Sequence, residues 1–156
     1  MSDWFEGEGE IACTLASVAQ AIDDGLGEYF TGVVSLMPGL TNVALVEQHP
    51  DAVIITTNEG QMKRNNVSTR VEDDRVTIEF DEEYQAGSKV TVNSHATHQF
   101  TPTNNGVTHR LTIRDVTAPG LLGFFYRKFG SSKIGNALLT AEKTYLETSA
   151  DPSGHA

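Results

Sequence analysis

The stretch RVTIEFDEEY, residues 75 to 84, decides the fold. Val76, Ile78, Phe80 and Tyr84 share one parity, while Thr77, Glu79, Asp81 and Glu83 share the other. That is the period of a β-strand with one dry face and one wet face. The turn signal Asp73-Asp74 precedes it, and similar signals recur at Pro50-Asp51, Glu59-Gly60, Ala86-Gly87-Ser88 and Asn104-Asn105-Gly106. Between Asn42 and about Ala118 this spacing predicts six antiparallel strands in a meander.

The pattern changes on either side. Upstream, a first strand is expected from Glu10 to Ala16, with Ser17 capping a helix by accepting a backbone N–H of its first turn. From Val18 to Leu36, Gly25, Gly27 and Gly32 interrupt the helical spacing, and each interior glycine costs about 1 kcal/mol relative to alanine. Two short helices are expected there, closed by Pro38-Gly39. Downstream of Ala118-Pro119-Gly120, Ile134, Ala137, Leu138, Ala141 and Tyr145 recur three or four apart, a long helix available to cover the sheet. The apolar run LLGFFYRKF precedes it, and Ser132 is a candidate cap.

Length and composition fit one acidic globular domain: 156 residues, 38% hydrophobic, 21% charged and a net charge of −10. Residues 1–9 read as an acidic tail, 10–148 as the domain and 149–156 as a flexible tail. Nucleic acid is excluded as a partner, because a phosphate backbone needs a basic patch and the eleven Lys and Arg are scattered. No apolar run approaches the ~18 residues of a membrane span, and the acidic start lacks the parts of a signal peptide, so a cytoplasmic protein is expected. The single cysteine, Cys13, excludes an internal disulfide and a cysteine-based zinc cage. Its alternation with Ile11 and Leu15 in IACTL predicts a buried strand thiol.

A strand, two small helices, six meandering strands and a long C-terminal helix resemble the START-like (SRPBCC) helix-grip superfamily, in particular its polyketide cyclase/dehydratase and lipid-transport group. The segments that carry the likeness are IACTLASVAQAIDD, LTIRDVTAPGLLGFFYRKF and NALLTAEKTYLE, within residues 10 to 148. The resemblance implies an α+β fold in which a curved seven-stranded antiparallel sheet, two short helices and the long helix enclose a cavity for an apolar small molecule. Members include lipid carriers, hormone receptors, polyketide aromatases and cyclases, and a chaperone-activating domain; the fold alone does not choose among them.

Hairpin arithmetic assigns faces, because partners across an antiparallel ladder share a side. The Asp73-Asp74 turn pairs Val71 with Val76, Thr69 with Ile78, Val67 with Phe80 and Asn65 with Glu82, and the same register puts Lys63 opposite Tyr84. Further pairing of Thr56 with Lys63, Ile54 with Asn65, and Glu47 with Ile54 gathers Glu47, Lys63, Asn65, Glu82 and Tyr84 on the inner face. A Lys63–Glu82 pair, or access of these side chains to water at the strand ends, is then required. On the next strand Val90, Val92, Ser94, Ala96, His98 and Phe100 turn inward, and His95 turns out toward Arg114. On the last, Val107, His109, Leu111 and Ile113 turn inward. A turn at Asn104-Asn105 makes His98 and His109 diagonal neighbours; one at Asn105-Gly106, the stronger signal, separates them.

Three functions are weighed. The first is a carrier or sensor of an apolar or amphipathic small molecule, whose cavity takes Phe80, Phe100, Leu111, Ile113, Phe125 and Leu138 as lining and Asn65, Glu82, Ser94, His98 and His109 as polar contacts. The second is an enzyme of the cyclase, aromatase or dehydratase type, with His98 as general base and His109 or Tyr84 assisting. The third is a chaperone-activator-like interaction domain using the outer sheet face or the short helices, its protein partner unknown. No cofactor is expected, and no metal, since the available His, Asp and Glu do not clearly converge in the sequence.

Overall fold

The computed structural model describes residues 3–85, 90–120, 123 and 130–150. Strand β1 (Phe5–Ile11) leads to helices α1 (Leu15–Asp24) and α2 (Leu26–Val34). Strands β2 (Ala44–His49), β3 (Ala52–Thr56), β4 (Gln61–Glu72), β5 (Arg75–Gln85), β6 (Thr91–Pro102) and β7 (Val107–Thr117) follow, and helix α3 (Ser131–Ala150) comes last. The seven strands form one curved antiparallel sheet in the order β1-β7-β6-β5-β4-β3-β2. Six strands meander, and β1 closes onto the last of them. Helix α3 packs on β1, β7, α1 and α2.

The first strand lies earlier than the sequence suggests. FEGEGEI occupies the acidic stretch read above as a tail, with Phe5 and Ile11 buried and Glu6, Glu8 and Glu10 on the outer face. Those glutamates meet β7: Arg110 pairs with Glu6 and Glu8, and Thr108 Oγ1 donates to Glu10 at 2.8 Å. Gly7 and Gly9 hold the inner parity, so no apolar alternation announces the strand. Helix α1 accordingly begins before Ser17. Its cap is Thr14, whose hydroxyl accepts the Ser17 N–H at 3.0 Å, so Ser17 is a first-turn residue rather than the cap. Gly25, with φ of 145°, separates α1 from α2. Cys13 is buried as expected but lies in the bend after β1 rather than in a strand, and burial pushes its thiol up to about 11.

Two register features set the inner face. Asn66 adopts a left-handed φ of 53°, and the β4–β5 ladder shifts between Asn65 and Ser68. This β-bulge adds a residue to β4 and reverses the facing of everything before it. Arg64 therefore pairs with Glu82 and Met62 with Tyr84, while Lys63 and Asn65 pair with Glu83 and Asp81 on the outer side. The reversal carries into β3, where Val53 and Ile55 are the buried residues and Lys63 pairs with Ile54. Glu47 does pair with Ile54, but it is exposed and contacts His49. The expected inner polar group thus loses Glu47, Lys63 and Asn65 and gains Arg64.

The second feature is the last hairpin. Thr103 N–H donates to the Gly106 carbonyl at 2.8 Å, and Pro102 pairs with Val107, so the turn is Asn104-Asn105 rather than Asn105-Gly106. His98 then pairs with Leu111 and Phe100 with His109, leaving the two histidines diagonal on the same face. The turn expected at Ala86-Gly87-Ser88 lies outside the described residues, as do most of LLGFFYRKF, including Phe125, and residues 151–156. Gln85 nevertheless pairs with Thr91, which brings Val92, Ser94, Ala96, His98 and Phe100 inward.

Candidate ligand cavity and a buried histidine–carboxylate cluster

Between the inner sheet face, the segment after α2 and one side of α3 lies a cavity of about 640 Å³. Its apolar wall includes Met37, Met62, Phe80, Val92, Ile113 and Leu138. Polar groups on the wall include Arg64, Glu82, Tyr84, Ser94 and Glu59, with Lys133, Asn136 and Thr140 contributed by α3. Of the ligand contacts expected from the sequence, Phe80, Glu82, Ser94, Ile113 and Leu138 lie on this wall, as does Tyr84. Asn65 does not, because the bulge turns it to solvent. His98, Phe100, His109 and Leu111 do not either: each is 0–2% exposed, packed in the core away from the cavity wall.

Arg64 is the residue that sequence arithmetic missed, and it is the most constrained polar group on the wall. Only 2% exposed, it lies with its guanidinium carbon 4.6 Å from the centre of the Phe30 ring and 4.5 Å from that of Phe80. The faces of both rings attract the cation. Its Nε–H donates to Glu82 Oε2 at 2.8 Å, giving the buried charge the partner it needs. Its two Nη groups have no hydrogen-bond partner among the described residues. Farther along the wall, the Tyr84 hydroxyl donates to Glu59.

Beside the cavity, within the core, stands a second polar group. His98 Nδ1 and His109 Nε2 are 2.9 Å apart, a hydrogen bond between two fully buried imidazoles. Their planes differ by 9° and their centres are 5.1 Å apart, so the rings meet edge to edge through their nitrogens. Phe100 lies flat on His109 at 4.5 Å and 10°, and Phe80 lies beside His98 at 5.7 Å. Glu142 of α3, 1% exposed, brings Oε2 to 3.8 Å from His98 Nδ1, while its Oε1 accepts the Tyr29 hydroxyl from α2. His109 Nδ1 is the one buried side-chain nitrogen or oxygen without a partner among the described residues.

Burial governs protonation here. It pulls His98 well below 6.5, aided by His109 and the Arg64 charge, and pulls His109 down to about 3. Both rings are therefore neutral near pH 7. Burial lifts Glu142 to about 7, opposed by the Tyr29 hydrogen bond and Arg64, and it raises Tyr29 well above its ordinary value, with Glu142 adding to the effect. Desolvation disfavours whichever form carries charge, so the acids rise and the bases fall. Contrary to the expectation from the sequence, His98, His109 and Glu142 do converge, with one ligand atom from each within 4.8 Å of the others.

The other histidine of the strand faces the opposite way. His95 Nδ1 is 2.7 Å from Asp81 and Nε2 is 2.6 Å from Glu79, which Arg114 approaches at 3.7 Å. Asn66 Nδ2, from the bulge, donates to Asp81 at 2.9 Å. Among the described residues no helix is long and apolar enough to cross a membrane.

No family model and no curated protein matches the chain. Solved structures do. A hypothetical protein from Helicobacter pylori is 12% identical at a TM-score of 0.60, covering 90% of this chain and 86% of that one. The di-domain ARO/CYC protein StfQ of the steffimycin biosynthetic pathway is 13% identical at 0.54; the match covers 97% of this chain and 51% of StfQ, so this chain spans about half its length. The ZhuI aromatase/cyclase from a Streptomyces species is 10% identical at 0.50, with 96% of each chain covered. Likeness at such identities is one of fold, and it agrees with the element order and the sheet: this chain has an α+β helix-grip fold.

Proposed function

We propose that this protein binds an apolar or amphipathic small molecule in the 640 Å³ cavity, and that Arg64, fixed by Glu82, receives its polar end. The volume falls in the range of about 300–1,000 Å³ usual for small-molecule pockets, and the wall joins apolar side chains to a few polar ones, as such pockets do. The observation that carries the reading is the held guanidinium. Two phenyl rings and one carboxylate fix its plane, while its Nη groups have no acceptor among the described residues, so a ligand carbonyl, enolate or carboxylate would complete its hydrogen bonds. Ser94 and Tyr84 would supply further contacts along the wall.

Native mass spectrometry of the purified chain, compared with a denatured run, tests this. A co-purified apolar molecule is expected, together with its loss from Arg64→Met. Repeated absence of any bound molecule, or equal retention by Arg64→Met, would overturn the reading.

The alternative is an acid–base enzyme of the cyclase or dehydratase type, a class to which two structural neighbours belong by name. In that reading the proton-transfer group would come from the cavity wall, where Glu82 and Tyr84 stand, rather than from His98 or His109. Turnover of a poly-β-ketone that Tyr84→Phe or Glu82→Gln abolishes, and His98→Ala leaves intact in a folded protein, would favour it.

A further inference from the structure

We infer that His98, His109 and Glu142 form a binding site for one divalent first-row transition cation, separate from the ligand cavity. The three side chains come from β6, β7 and α3, and all are buried. Two imidazoles and a carboxylate are a donor set that suits zinc, cobalt, nickel or iron(II) and gives magnesium or calcium, which want oxygen alone, little to hold.

The distances support a shared ion. His98 Nδ1 stands 2.9 Å from His109 Nε2 and 3.8 Å from Glu142 Oε2, and the set of three atoms spans no more than 4.8 Å. With the third side at its 4.8 Å limit, such a triangle has a point roughly 2.4 Å from each corner, against ~2.0–2.2 Å for zinc bonds to nitrogen and oxygen. Two ligands of a tetrahedral ion sit roughly 3.3 Å apart, so the imidazoles, whose nitrogens face one another, would part by a few tenths of an ångström and turn to aim at the ion, and the carboxylate would close in. The three donors leave one corner of a tetrahedral ion, which a water carried in with it would fill. Tyr29, bonded to the other oxygen of Glu142, is a positioning residue that orients the carboxylate.

The role this assigns is structural. One ion would join the two central inner-face histidines to the helix that covers them, and α2 would be tied in through Tyr29. Because the cluster is sealed from solvent and absent from the cavity wall, the ion would load while the chain folds, not by diffusion into the finished core. Without an ion the same groups form a proton-sharing cluster, and the experiment separates the two states.

The full chain is unfolded, refolded with Co²⁺, freed of loose metal by gel filtration, and read by visible absorption and metal content. The expected result is one cobalt per chain, a visible ligand-field band, bleaching by Zn²⁺ on a second refolding, and a thermal midpoint higher than that of the metal-free protein. His98→Ala, His109→Ala and Glu142→Gln should each weaken retention by more than about 100-fold, since even indirect contacts to a metal ligand are worth 10–100-fold. His95→Ala should retain the ion, because its carboxylate partners face solvent elsewhere. Wild-type chain that refolds with no retained cobalt, no band and no change in midpoint would overturn the inference, whatever the variants do. Loss of the band in His95→Ala but not in His98→Ala would overturn it equally. Neither outcome depends on the cavity ligand, whose presence is read separately by native mass spectrometry.

Discussion

His95 and His98 stand three residues apart on one strand, each near carboxylates, yet they live under opposite electrostatics. On the outer face His95 bridges Asp81 and Glu79, where water supports all three charges. Burial lowers its pKa, but the two hydrogen bonds more than offset this and the net shift is upward. On the inner face His98 has His109 and Glu142 for neighbours, and desolvation drives it far down. The partner's identity is secondary to the dielectric around it: a carboxylate stabilises an imidazolium only where both charges can be solvated or tightly paired.

The comparison breaks most visibly if Glu142 is removed. Glu142→Ala strips the Tyr29 hydroxyl of its acceptor and opens a cavity between α3 and the sheet beside the histidine pair, at an expected cost of about 3 kcal/mol. A denaturant midpoint within experimental error of wild type would show that the inner cluster contributes nothing to the fold. Asn66→Val attacks the outer group from the backbone. A β-branched residue at φ of 53° is strained, and the Asp81 hydrogen bond is lost, so about 2 kcal/mol is expected, with weaker cavity binding because Arg64 depends on the bulge. Unchanged stability and binding would mean that the register does not rest on this residue.

Tyr29→Phe isolates one hydrogen bond of the inner cluster. Loss of about 1.5 kcal/mol is expected, measured by urea unfolding near neutral pH, and a neutral substitution would mean that Glu142 does not need the hydroxyl. The smallest effect belongs to His95→Gln. In the fold the His95 pKa stands above its ordinary 6.5, so the folded chain holds this proton more tightly than the unfolded chain does. That contribution is fully present below pH 6.5 and fades as pH rises through the folded value. The difference in stability between wild type and His95→Gln should therefore shrink as the pH rises above 6.5, by less than about 1 kcal/mol in all for a partly exposed group. A difference that grows with pH would reverse the assignment.

How much of this was legible in the sequence depends on what each strand displays. Strands β5, β6 and β7 alternate cleanly, so the inward facing of Phe80, Glu82, Ser94, His98 and His109 follows from parity alone. Strand β4 conceals its bulge. Asn is among the residues most tolerant of a left-handed conformation, but a lone Asn-Asn inside a polar strand gives no other warning, and the undetected extra residue put Lys63 and Asn65 where Arg64 and Met62 belong. Strand β1 was hidden by glycine at two inward positions. The last hairpin misled because Asn-Gly is the stronger local turn signal, and the long-range pairing of β6 with β7 overrode it.

Glu142 left a trace that could have been followed. Leu138, Glu142 and Leu146 lie four apart, and both leucines are buried, so the acid sits in the middle of the helix's dry stripe. A carboxylate at such a position calls for a partner on the opposing sheet. Inward parity had already supplied His98 and His109 as the only inner-face imidazoles of β6 and β7.

The Tyr29–Glu142 contact also acts as a detent on the long helix. A slide of α3 by one turn, about 5.4 Å, would bring Leu138 or Leu146 to the place of Glu142 and leave the tyrosine and histidines facing a hydrocarbon. Aliphatic stripes alone penalise such a slip weakly, because leucine replaces leucine; a single acid with a single matching hydroxyl makes one position distinct. Ile134, Ala137 and Leu138 of the same helix form part of the cavity wall. The position that Glu142 selects therefore also calibrates the depth of the chamber, although Glu142 itself has no place on the chamber wall.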